Sequence, residues 1–115
     1  MFGNPQLHES QVSEYFNNFV YAKRDNLEKQ LSDNVVLTDW DINVTEKSNV
    51  LQAFDNIWAA LTDISVVVES MDFIGGKAYC TIQILADELE NPLNVLDVIA
   101  FDDDNLICSI TAYKR

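Results

Sequence analysis

Apolar positions fall into two rhythms along this chain, first of period near 3.6 and then of period two. Val12, Phe16, Phe19, Val20 and Lys23 follow helical spacing with Tyr15 beside them, which predicts a first helix from about Ser10 to Arg24. Asp25 and Glu28 form the Asp-x-x-Glu pattern of a capping box and predict a short second helix carrying Leu27 and Leu31. Val35 to Trp40 reads as a strand with Val35, Leu37 and Asp39 on one face, followed by an irregular connection from Asp41 to Glu46. Thr45 or Ser48 can cap a third helix that ends near Thr62, with an apolar stripe of Val50, Leu51, Phe54, Ile57, Trp58 and Leu61.

From Ile64 onward the rhythm is that of strands. Ile64 to Phe73 is one strand, Gly75-Gly76 a turn, Lys77 to Glu88 the next strand, and Glu88 to Pro92 a polar connection. Val95 to Tyr113 is a long hairpin about the turn Asp102 to Asn105, whose residue types tolerate turn geometry. Three helices with one early strand, then a four-strand meander, predict an α+β fold in one domain spanning residues 1–115.

Alternation along the first hairpin strand puts Leu93, Val95, Asp97, Ile99 and Phe101 on one face. Asp97 therefore stands in the middle of an apolar row. A carboxyl group there finds partners, takes up a proton, or lines a wet cavity. The opposite face of that strand carries Leu96, Val98 and Ala100, and Ser109, Thr111 and Tyr113 lie beside it. A sheet face apolar on both sides predicts a homodimer through the outer face.

Charge and scarcity then exclude function classes. The net charge of −12 argues against nucleic acid and anionic membrane as partners. The opening MFGNPQLHES lacks the basic segment and apolar core of a secretion signal, and no run is long enough to span a membrane, so the expected location is cytoplasmic. Cys80 and Cys108 both fall in predicted strands and read as buried free thiols. One histidine, His8, near a terminus expected to fray, argues against a histidine-activated nucleophile and against a multi-histidine metal site. Three glycines, none in a phosphate loop, argue against a nucleotide cofactor; no cofactor and no metal are expected. The run Asp102 to Asp104 lacks the alternating ligand spacing of a calcium loop and reads as a plain turn.

The order of elements, together with the Asp97 row, resembles the nuclear transport factor 2-like superfamily, which includes the SnoaL-like polyketide cyclases and the ketosteroid isomerases. The pieces that carry the resemblance are the helix break at Arg24-Asp25-Asn26-Leu27, LSDNVVLTDW from Leu31 to Trp40, the helix from Ser48 to Leu61, and LDVIAFDDDNLICSITAY from Leu96 to Tyr113. The resemblance implies a cone in which a curved, mostly antiparallel sheet wraps a long N-terminal helix and leaves a pocket at its open end. It matches Asp39 to the proton-shuttling base of the isomerases and Asp97 to their buried acid. The tyrosine that those isomerases place beside the oxyanion matches a position close to Asn17, with Tyr15 out of register.

Two function classes follow. One is proton-transfer chemistry, as an isomerase or cyclase, on a small hydrophobic carbonyl compound, with Asp39 and Asp97 as catalytic residues. Tyr15, Phe16, Phe19, Trp40, Trp58, Tyr79, Ile99 and Tyr113 are then the candidate ligand-binding residues. The other is a non-catalytic ligand-binding or protein-interaction module on the same fold. In that case Asp39 is a strand-end carboxylate that caps local backbone, Asp97 is a structural acid, and the aromatics pack the core or an interface.

Overall fold

The computed structural model describes residues 5–115; the first four residues of the segment expected not to be a secretion signal lie outside the described residues. The elements run α1 (Pro5–Val20), α2 (Arg24–Gln30), β1 (Leu31–Thr38), β2 (Asn43–Thr45), α3 (Lys47–Ala60), β3 (Ser65–Ile74), β4 (Lys77–Leu85), β5 (Leu93–Phe101) and β6 (Ile107–Lys114). The strands form one sheet in the order β2-β1-β6-β5-β4-β3. Every pairing is antiparallel except β1 with β6. The fold is thus the α+β arrangement that the element order predicts, a curved sheet closing over α1 and α3.

Burial explains the two helices. Val12, Tyr15, Phe16 and Phe19 on α1 and Val50, Leu51, Ala53 and Phe54 on α3 are buried, each set at the spacing of one helical face. Their rings interlock: Phe54 meets Phe19 edge-on at 5.9 Å and Tyr15 at 6.2 Å between centroids. Against them lie the inward rows of the sheet, with Val35 and Leu37 on β1, Ala78, Cys80 and Ile82 on β4, and Val95 and Ile99 on β5. Cys80 is buried and Cys108 half-buried, and both are free thiols.

Several boundaries differ from the sequence expectation. Helix α1 ends at Val20 rather than Arg24 because Ala22 takes a positive φ of 52° and turns the chain, with Lys23 N–H donating to the Asn18 carbonyl. Helix α2 consequently has Lys23 at its N-cap, and no side chain caps it. Asp25 sits inside the first turn, two residues past the N-cap and so too late to cap, where its negative charge still interacts favourably with the helix dipole. Leu31, expected at the end of that helix, instead opens β1. Residues 43–45, expected as irregular connection, form β2 on the outer edge of β1. Helix α3 starts after Glu46, whose backbone at φ 76° bonds back to Val35, so neither Thr45 nor Ser48 caps it.

The hairpins close as their residue types require. Gly75 and Gly76 both have positive φ, 58° and 77°, which glycine adopts without steric cost. In the β5–β6 turn the Asp102 carboxylate accepts from the backbone N–H groups of Asp104 (2.9 Å) and Leu106 (3.0 Å), and Asn105 takes a φ of 62°. All three aspartates of that run are accounted for as turn residues. That turn also holds α1. His8, expected near a frayed end, is only 3% exposed. Its ring stacks on Phe101 with centroids 4.1 Å apart, and Gln11 donates to the Asn105 carbonyl at 2.6 Å. The closed end of the cone is therefore packed shut.

Candidate functional site

At the other end the helices and the sheet diverge, and a cavity of about 180 Å³ opens between them. Tyr15, Phe16 and Phe19 of α1 and Phe54 and Ile57 of α3 form one wall, continued by Leu61 just past α3. Inward residues of four strands form the other: Leu37 of β1, Ile82 and Ile84 of β4, Leu93, Val95 and Asp97 of β5, and Ile110 and Ala112 of β6. Asp39, Trp40, Ile42 and Leu89 come from the connections that rim the mouth. The lining is hydrocarbon except for the Tyr15 hydroxyl, the carboxyl groups of Asp39 and Asp97, and the Trp40 indole.

Asp97 is 7% exposed. Strand parity puts it there: β5 alternates buried and half-buried residues from Val95 to Ile99, and Asp97 pairs with inward-facing Cys80 across the β4–β5 ladder. Desolvation, and to a lesser extent the negative charge of Asp39, together raise its pKa from 3.8 to about 7. Among the described residues, no hydrogen-bond donor holds the charged form against these two effects. Near neutrality Asp97 is therefore present in large part as a carboxylic acid, able to donate a proton or a hydrogen bond.

Asp39 follows the last residue of β1. Its Oδ1 accepts from the backbone N–H groups of Asp41 (2.7 Å) and Ile42 (2.6 Å), which fixes the carboxylate in an Asx turn. Asp39 thus caps local backbone with one oxygen and also lines the cavity. Its second oxygen, Oδ2, is not engaged in that turn.

Tyr15 is 4% exposed and lies in the cavity wall, whereas Asn17 is on the exposed face of α1. Helix α1 presents Val12, Tyr15, Phe16 and Phe19 to the interior and turns Asn17 outward. Burial raises the Tyr15 pKa well above 10.0, with smaller contributions from the charge of Asp97 and from Cys80. The Tyr15 hydroxyl stays protonated across the physiological range, a donor within reach of Asp97's electrostatic influence.

Of the residues singled out in the sequence, the fold brings together Asp39, Asp97, Tyr15, Phe16, Phe19 and Trp40. The other four lie elsewhere. Ile99 is one step deeper on the Asp97 row and is wholly buried toward the closed end. Trp58 packs on Phe54 and donates from Nε1 to the Phe19 carbonyl at 2.9 Å, which joins α3 to α1 outside the cavity. Tyr79 and Tyr113 point away from the interior, since their strand neighbours Ala78, Cys80 and Ala112 take the inward positions; Tyr113 is 54% exposed. Sequence reasoning missed the aliphatic wall from β4 and β6, although the same two-residue parity that placed Asp97 marks Ile82, Ile84, Ile110 and Ala112 as inward.

Among the described residues, no group of three or more His, Cys, Asp or Glu side chains is gathered to hold a metal ion, and no helix is long and apolar enough to cross a membrane.

Comparison with solved structures identifies the architecture. The polyether-pathway protein SalBIII, described as an epoxide hydrolase/cyclase-like enzyme with a role in pyran ring formation, superposes with a TM-score of 0.84 over 97% of this chain and 93% of its own, at 12% identity. The fold is nuclear transport factor 2-like. An NTF2-like protein of unknown function from Cytophaga hutchinsonii matches with a TM-score of 0.78 over 94% of this chain and 89% of its own, at 12% identity. A protein of the SnoaL-like family from Agrobacterium tumefaciens matches with a TM-score of 0.80 over 94% and 97%, at 9% identity. No family model matches the sequence, and no curated protein matches it. Identities this low establish the NTF2-like fold and leave the chemistry to be argued from the residues of this cavity.

Proposed function

We propose that this NTF2-like protein catalyses proton transfer on a small hydrophobic carbonyl compound bound in the cavity. The observation that carries the reading is Asp97: a carboxylic acid with a pKa near 7, buried in a hydrocarbon wall and facing a second carboxylate at the rim. A packed core has little use for an acid without donors, whereas a site that builds up negative charge on a substrate oxygen has a direct use for one.

The roles follow from position. The free Oδ2 of Asp39 takes a proton from the carbon alpha to the carbonyl. The electron pair moves into the carbonyl, and the resulting enolate oxygen accepts hydrogen bonds from the Asp97 carboxylic acid and the Tyr15 hydroxyl. Asp39 then returns its proton at a conjugated carbon, which leaves the product an isomer of the substrate and the enzyme unchanged. Donors already in place in a dry cavity need no reorganisation as charge develops, which is where such a site gains its rate.

The test is solvent deuterium exchange alpha to the carbonyl of a cyclic enone, followed by proton NMR with native protein and with Asp39→Asn. Native protein exchanges the alpha proton above the buffer rate, and Asp39→Asn slows that exchange by about a hundredfold or more. Equal rates in the two proteins would remove Asp39 as the base.

We also propose that the protein works as a homodimer through the outer face of the sheet. Leu96, Val98 and Tyr79 are half-buried there and Tyr113 is exposed, which makes a central apolar strip with a polar border of Ser109 and Thr111. Sedimentation at micromolar concentration gives twice the chain mass for native protein and one chain mass for Val98→Glu. A monomeric native protein would exclude this assembly.

A further inference from the structure

We infer that the substrate is compact and uncharged, with a hydrocarbon body of single-ring size, and that it enters carbonyl-first; this rests on the proton-transfer reading of the same cavity. Three features of the cavity carry the inference: its volume, its charge, and where along its depth the polar groups stand.

The volume is about 180 Å³. An apolar cavity of about 150 Å³ holds one benzene ring, and pockets for drug-sized ligands begin at roughly 300 Å³. At interior packing density the space here accommodates a body of about six to ten non-hydrogen atoms. A tetracyclic skeleton does not fit without displacing wall residues, and the walls are poorly suited to yield. Phe54 is locked edge-on between Tyr15 and Phe19, and the opposite wall is sheet, with Ile82 and Val95 buried.

Charge narrows the class further. No lysine or arginine lines the cavity among the described residues, while two aspartates do. Lys114 stands over the Trp40 ring, 4.8 Å from its centroid, and is not part of the lining. A carboxylate or phosphate in the cavity would lose its hydration, find no cation, and face Asp39. A neutral ketone loses far less, because the Tyr15 hydroxyl and the Asp97 carboxylic acid replace the hydrogen bonds that its oxygen made to water.

Depth sets the orientation. Tyr15 and Asp97 are almost wholly buried, at 4% and 7% exposure, whereas Asp39 precedes Trp40, which is 39% exposed at the mouth. The carbonyl oxygen therefore points inward and the acidic carbon lies toward the rim, with the ring against Phe54 and the aliphatic strand residues.

The experiment measures binding by isothermal titration calorimetry for three probes: a methyl-substituted cyclohexenone, a tetracyclic enone, and a cyclohexene carboxylate of the same size as the first. The cyclohexenone is expected to bind at least tenfold more tightly than either of the others. Asp39→Asn is expected to narrow the gap between the ketone and the carboxylate, and Ile57→Ala, which widens the helical wall, to narrow the gap between the single-ring and tetracyclic ketones. Equal or tighter binding of the tetracyclic enone or the carboxylate to native protein overturns the inference, as does failure of all three to bind. Deuterium exchange on the bound probes separates this from the catalytic reading. Selective binding of the cyclohexenone without exchange refutes proton transfer and leaves the size and charge selection standing. Exchange on the tetracyclic enone alone does the reverse.

Discussion

Asp97→Asn is expected to lower turnover of an enone substrate by about a hundred- to a thousandfold, the usual cost of losing one oxyanion donor. Asparagine has nearly the same shape, so the β5 row and the cavity wall are preserved. What it lacks is the acidic O–H. The amide N–H is a weaker donor to a developing oxyanion than a carboxylic acid whose proton is already loosely held. The pH profile makes the result specific. In native protein the neutral acid is the competent form, so activity falls as pH rises through about 7, where Asp97 ionises. In Asp97→Asn the residual activity loses that alkaline limb. The measurement is kcat/KM against pH for both proteins, with circular dichroism to confirm the fold. If Asp97 is only a structural acid, the substitution leaves both the rate and the shape of the profile unchanged.

The sequence revealed the placement of this acid and obscured its companions, for reasons that differ from residue to residue. Period-two alternation is a strong constraint on a strand with apolar neighbours, so the Leu93 to Phe101 row placed Asp97 inside. The same rule applied to β4 and β6 would have turned Tyr79 and Tyr113 outward, because Cys80 is the ladder partner of Asp97 and Leu96 that of Tyr113. Aromatic side chains look like pocket residues wherever they occur, and that association outweighed parity. The helix gave a different difficulty. Each residue turns a helix by about 100°, so a two-residue error in register changes the face entirely. Only the packing of Val12, Tyr15, Phe16 and Phe19 against the core establishes that Tyr15, not residue 17, looks into the cavity.

The rim was hidden in another way. Strand β2 is three residues long, too short for a period to show, and exists because Val44 and its neighbours find the edge of β1. Leu89 reaches the cavity from the β4–β5 connection, which is held by contacts distant in sequence. Thr62 donates to Glu88 from both its backbone N–H and its hydroxyl, each at 2.6 Å, and the Asp87 N–H donates to the Thr62 carbonyl at 2.9 Å. Such contacts depend on the closed fold and leave no local pattern in the chain.

Carbon-13 NMR titration of the Asp97 side-chain carboxyl is expected to give a midpoint near 7 in the folded protein. Two physical causes act, and a second protein separates them. Desolvation is the larger, because Val95, Ile110 and the aromatic wall leave the carboxylate little water. The charge of Asp39 is the smaller, so Asp39→Asn lowers the midpoint without returning it to 3.8. The same shift predicts a stability profile, and its sign is determined. The pKa is higher in the folded chain than in the unfolded one, so between 3.8 and about 7 the folded state binds more protons. The stabilisation from the neutral acid is complete below the unfolded pKa and is lost as pH rises through the folded value. At about 1.4 kcal/mol per pKa unit, the loss across that window is about 4 kcal/mol at most. Other carboxylates titrate in the same range, so the informative quantity is a difference between proteins. Asp97→Asn carries no ionisable group at this position, and its urea-unfolding stability relative to native protein should improve steadily from pH 4 to pH 8. The amide keeps the cavity dry at high pH where the native carboxylate must be solvated or driven out. A midpoint at or below 3.8, or a stability difference that stays flat with pH, would mean that Asp97 is ionised and solvated in the folded chain, and the neutral donor would have to be dropped from the mechanism.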